Sequence, residues 1–71
     1  MSEERLKELM REGSRVCYLR REVSGVYRVV CKCVRSVIHK IIQGEEVLCA
    51  ELDDAGGNSV TVVRAEDIVE F

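Results

Sequence analysis

The sequence predicts a mainly β (α+β) domain, a small five-stranded barrel with one short helix added at its start. Three observations carry that prediction. Ser2 and Gly13 bracket a short stripe of helical spacing, and eight of the seventeen residues from Val26 to Ile42 are Val or Ile. Beyond them, turn signals cut the chain into segments of strand length.

The 71 residues form one domain, 1–71, near the lower size limit for a chain that folds without staples. A hydrophobic content of 46% is enough for one small core. Charged residues at 34% and the absence of proline argue against a linker or a low-complexity segment.

The helix is placed at residues 2–12. Ser2 is a good N-cap, Glu3 and Glu4 suit the positive end of the helix dipole, and Gly13 supplies a left-handed stop. Leu6, Leu9 and Met10 form its narrow apolar stripe. A helix this short is marginal alone, so it must dock on something.

Residues 15–71 are assigned to the β part. Val16, Cys17, Tyr18 and Leu19 begin a strand, and a turn centred on Ser24-Gly25 leads to the next. The stretch VYRVVCKCVRSVIHKII (26–42) is ambiguous. Its polar residues Arg28, Lys32, Arg35, Ser36, His39, Lys40 and Gln43 recur by threes and fours, which favours a helix. Its wealth of β-branched residues, and Arg28 at what would be the positive end of a helix, favour a strand. The strand is preferred, with a change of phase near Val34 that a bulge or bend would produce. Further on, Gly44-Glu45-Glu46 reads as a turn, 47–52 as a strand, Asp53 to Asn58 as a loop and 60–63 as a strand. Ala65-Glu66-Asp67-Ile68 suits one helical turn, and Val69-Glu70-Phe71 a last strand.

The pieces VYRVVCKCVRSVI, EVLCAELDDAGG and NSVTVVRAEDIVEF, with a bent second strand and a single turn before the last one, resemble the SH3-like small barrels. They are also similar to uncharacterised small proteins of Gram-positive bacteria and their phages. The resemblance covers about residues 15–71 and implies a fold whose members bind nucleic acid, peptides or protein partners. It carries over no functional residue.

Charge is segregated along the chain. Residues 11–40 hold eight cations against Glu12 and Glu22, whereas residues 41–71 hold eight acids against Arg64. Mutual neutralisation across paired strands is the preferred reading, and a basic face for a polyanion the alternative. The weak candidates for such a face are Arg20, Arg21, Arg28, Lys32, Arg35 and Lys40. Against it stands the scarcity of aromatics, since Tyr18, Tyr27 and Phe71 are expected in the core.

Other chemistry is sparse. Cys31 and Cys33 would share one face of a regular strand, with Cys17 and Cys49 able to complete a zinc set, yet all four sit among apolar neighbours and read as buried reduced thiols. His39 has no nucleophile beside it, and Asp53-Asp54 precede a Gly-rich turn. No enzyme, metal or cofactor is expected. The charged opening MSEERLKELMREG does not read as an export signal, and no apolar run approaches the ~20 residues of a membrane span. The expected protein is cytoplasmic, with a protein partner or a second copy of itself favoured over nucleic acid. Val47, Cys49, Val63 and Val69, taken as partly outward, point to a homodimer.

Overall fold

The computed structural model describes residues 1–71. Helix α1 (Glu3–Glu12) is followed by β1 (Val16–Glu22), β2 (Gly25–Ile42), β3 (Glu45–Asp54), β4 (Val60–Arg64), a 3-10 turn η1 (Ala65–Asp67) and β5 (Ile68–Glu70). The five strands make one antiparallel sheet in the order β4-β3-β2-β1-β5.

Helix α1 starts and stops as its caps dictate. The Ser2 hydroxyl accepts from the Arg5 N–H at 3.2 Å, and Gly13, at φ 68°, donates its N–H to the Leu9 and Met10 carbonyls. Leu6 and Leu9 are buried.

The stretch 26–42 is a strand. It lies within the eighteen residues of β2, which pair with β1 from Gly25 to Cys31 and with β3 from Cys31 to Ile42. The ladder to β3 slips twice, between Cys31 and Cys33 and between Val34 and Ser36, leaving Lys32 and Arg35 as extra, bulged residues. Each bulge lengthens the inward repeat from two residues to three, so Cys31, Val34 and Val37 all turn to the core. Spacing by threes is thus a property of a twice-bulged strand, and it accounts for the helical periodicity of the sequence.

The turns differ slightly from expectation. Val23-Ser24 link β1 to β2, and Gln43-Gly44, with φ of 52° and 81°, link β2 to β3 in the left-handed region that a tight hairpin requires. Asp53 and Asp54 are the last residues of β3 rather than loop residues.

Every element supplies the core: Leu6 and Leu9 from α1, Val16 from β1, Cys31 and Val34 from β2, Ala50 and Leu52 from β3, Val63 from β4, Ala65 from η1 and Ile68 from β5. The sheet must curl to achieve this. Its edges β4 and β5 would lie about 19 Å apart if it were flat, while the four Cα steps from Arg64 to Ile68 span at most about 14 Å. No ladder joins β4 to β5, so the sheet stays open at that seam. Val63, expected to be partly outward, is pulled into the core by this curl.

Polar links tie α1 to the sheet. Arg5 bonds Glu70 of β5 at 2.5 Å, Glu3 bonds the His39 imidazole at 2.9 Å, and the Met1 ammonium donates to the Ala65 carbonyl at 2.9 Å. The hydrogen bond from Lys7 and the nearby His39 hold the Glu3 carboxyl below its ordinary value, and the hydrogen bond from Arg5 does the same for Glu70.

Two predictions follow from this arrangement. Leu6→Ala removes a fully buried anchor of α1 and is expected to cost about 2–5 kcal/mol, read as a lowered urea midpoint. Carboxyls held low in the fold bind protons less readily there than in the unfolded chain. Their stabilisation is therefore present above the ordinary carboxylate range and is lost as pH falls through and below about 4. Urea midpoints at a series of pH values check this, and Arg5→Gln is expected to shallow the acid slope by releasing Glu70.

Candidate interaction site

Ladder lengths decide which strand edges are left unpaired within the chain. Strand β5 pairs only with Val16–Tyr18 of β1, and β3 reaches only to Cys31 of β2. Residues 19–22 and 25–28 therefore pair with each other alone and leave the sheet as a two-stranded ribbon, while Val29 and Val30, opposite Tyr18 and Cys17, are unflanked only on the β3 side. A ribbon with no third strand buries little, and its side chains show it. Val23 is fully exposed, Val26 is 60% exposed and Tyr27 41%, and Val30, just beyond the ribbon, is 38% exposed. Tyr27 leans back on the turn, its hydroxyl 2.6 Å from the Ser24 hydroxyl.

The six basic candidates do not converge on one patch. Arg20, Arg21 and Arg28 are on the ribbon, Lys32 and Arg35 are the bulged residues, and Lys40 pairs with Val47 at the far end of β2. Arg20 stands opposite Tyr27, whereas Arg21 and Arg28 stand opposite Val26 and Leu19, so the ribbon's arginines are divided between its two faces. Three of the six are engaged within the chain: Arg20 bonds Glu22 at 3.0 Å, Arg21 bonds Asp67, and Arg35 bonds Asp53 at 3.3 Å. Arg28, Lys32 and Lys40 form no ion pair.

The bulge at Lys32 also undoes the pairing of thiols. Cys31 lies opposite Asp54 and Cys33 opposite Asp53, consecutive residues of β3, so the two thiols point to opposite faces. The sulfur of Cys33 donates to the Asp53 carboxylate at 3.4 Å. Burial, with the neighbouring Asp53 charge, pushes the Cys33 thiol up, and burial does the same for Cys31. All four cysteines are free, Cys33 half-buried and the others buried. His39 is held between two carboxylates, with Nε2 2.9 Å from Glu3 and Nδ1 3.0 Å from Glu46. Asp54 accepts from the Thr61 hydroxyl at 3.4 Å.

The aromatics correct the expectation of a shared place in the core. Tyr18 packs against the core, whereas Tyr27 and Phe71 are exposed. The Arg15 guanidinium sits 5.5 Å from the centre of the Phe71 ring. Val47 and Val69 are half-buried, and Cys49 is buried outside the core cluster.

Sequence reasoning missed the exposed side chains of the ribbon. The signal lies in strand lengths, because a β3 of ten residues cannot flank all eighteen of β2. Those lengths depend on strand ends that composition does not mark.

In comparisons with family models, curated proteins and solved structures, the chain finds no significant match. No helix of the structure is long and apolar enough to cross a membrane.

The thiol arrangement yields a prediction. In the native protein an aromatic disulfide reagent is expected to modify Cys33 slowly at pH 7, with the rate rising at higher pH as the thiolate forms, and all four thiols are expected to react in urea. Asp53→Asn should speed the native reaction. Fast modification of several thiols without denaturant would contradict the burial described.

Proposed function

We propose that this chain is a non-enzymatic interaction or assembly module of the SH3-like small-barrel type, and that its contact surface is the β1–β2 ribbon. The barrel reading is supported by the curled meander and by the 3-10 turn between its two edge strands. The exposed apolar side chains of the turn and the open β2 edge, Val23 in the turn, Val26 and Val30 on one face and Tyr27 on the other, carry the functional reading. Apolar side chains presented on a projecting element suit a protein surface better than a phosphate backbone. A non-catalytic role agrees with His39, whose two ring nitrogens both face carboxylates. The four free thiols fit a reducing compartment such as the cytoplasm.

The second reading, nucleic-acid binding through the basic hairpin, draws on Arg28, Lys32 and Lys40, which keep their charges unpaired. It is weakened by the division of the ribbon's arginines between two faces and by the engagement of Arg20, Arg21 and Arg35.

Photo-crosslinking distinguishes the two. A photoreactive phenylalanine at Val26, in the cell that makes the protein, is expected to give a discrete protein adduct that disappears when Tyr27 is also changed to Lys. Adducts with nucleic acid alone, or none, would overturn the reading. In the nucleic-acid case, affinity for a DNA duplex should fall steeply between about 50 and 200 mM salt.

A further inference from the structure

We propose that the partner of the ribbon is a second copy of this chain, joined edge to edge through residues 25–30 of β2 in a two-fold, continuous sheet. The inference rests on the reading of the ribbon as the contact surface and names what occupies it.

The argument begins with the backbone. A two-residue hairpin makes Glu22 and Gly25 a hydrogen-bonded pair, and antiparallel alternation then makes Arg20 with Tyr27 and Tyr18 with Val29 bonded pairs. Val26, Arg28 and Val30 consequently turn their N–H and C=O groups away from β1, toward the side where β3 has not yet begun. Natural edges of this kind are blunted by lysine, proline, bulges or brevity. The outer edge of β1 has such protection in Arg20, Arg21 and Glu22, and β5 is only three residues long. The β2 edge GVYRVV has neither proline nor lysine and a single charge, and its bulges come only later, at Lys32 and Arg35. The β4 edge is also open, but it has one exposed valine, Val62, where the β2 edge presents Val26, Tyr27 and Val30.

Charge and shape select the register. In a two-fold pairing centred on Tyr27, each Tyr27 faces its symmetry mate and each Arg28 faces Val26, which keeps the two guanidinium groups from opposing each other. The same register carries the turn of one copy to the point where β3 ends, at Asp54, on the other. A depression lies there, lined by Arg15, Val30, Lys32, Asp54, Ala55 and Gly57. Its Val30 and Ala55 suit the fully exposed Val23, and its Arg15 and Lys32 suit Glu22 at the end of β1.

Sedimentation of the intact chain, joined to directed crosslinking, tests the proposal. The native protein is expected to sediment as a dimer of its 8.1 kDa chain. Tyr27→Cys, mildly oxidised, is expected to give a covalent dimer at least tenfold faster than the native chain with its own cysteines. Arg28→Pro removes an N–H that only the partner uses, and is expected to yield a monomer with unchanged circular dichroism. Should that variant unfold, Val26→Lys, which alters only an exposed side chain, is expected to yield the monomer instead. A native chain that stays monomeric up to about 1 mM, a dimer that survives Val26→Lys, or no acceleration with Tyr27→Cys overturns the proposal. If the chain is monomeric and the Val26 photoadduct is a different protein, self-pairing fails while the ribbon stands as an interaction site. A monomer with no protein adduct removes both.

Discussion

Strand β2 is longer than anything that can flank it, and the architecture follows from how it is shared. Its first part has β1 as sole neighbour, its second part has β3, and only around Cys31 does it have both. A strand serving two partners in sequence must bend where it changes from one to the other. The two bulges lie at that point, and each increases the local twist. By adding one residue apiece they let Cys31, Val34 and Val37 reach one core while β3 keeps a plain two-residue repeat through Leu48, Ala50 and Leu52. Basic residues occupy both bulges, and a bulged side chain that leaves the ladder for solvent tolerates a charge well.

The curl of the sheet then determines what the helix does. With only twelve buried residues, the core has no large reserve, and α1 closes it with Leu6 and Leu9. Three polar links join α1 and the residues before it to other elements: Arg5 to β5, Glu3 to His39 of β2, and Met1 to the carbonyl of Ala65 in η1. Exposed ion pairs of this kind contribute little singly. Their value here is orientation, since they fix the angle at which a short apolar stripe meets the sheet.

Much of this was legible in the residues. Ser2 and Gly13 mark the helix because capping is local chemistry, and the β-branched content of 26–42 identifies a strand because rotamer restriction acts residue by residue. Three features were not legible, and each depends on a neighbour. The positions of the bulges depend on β3, so the shared face expected for Cys31 and Cys33 was wrong. The inward turn of Val63 depends on the meeting of distant edges across η1. The exposure of Tyr27 depends on where β3 stops. Periodicity misled in one place only, and for a physical reason: bulges at intervals of three residues convert an alternating strand into a pattern with the spacing of a helix.

The segregation of charge along the chain resolves in the fold without producing a strongly cationic face. Cations of the first half meet acids of the second through Arg21 and Asp67, Arg35 and Asp53, and Arg5 and Glu70. These pairs neutralise the parts of the molecule that the sheet brings together. Arg21 is the one residue of the ribbon that joins that exchange, and its β2 strand, residues 25–30, has no acidic strand beside it and carries a single charge, Arg28. What distinguishes residues 25–30 is therefore an unpaired, lightly charged backbone edge with apolar side chains beside it.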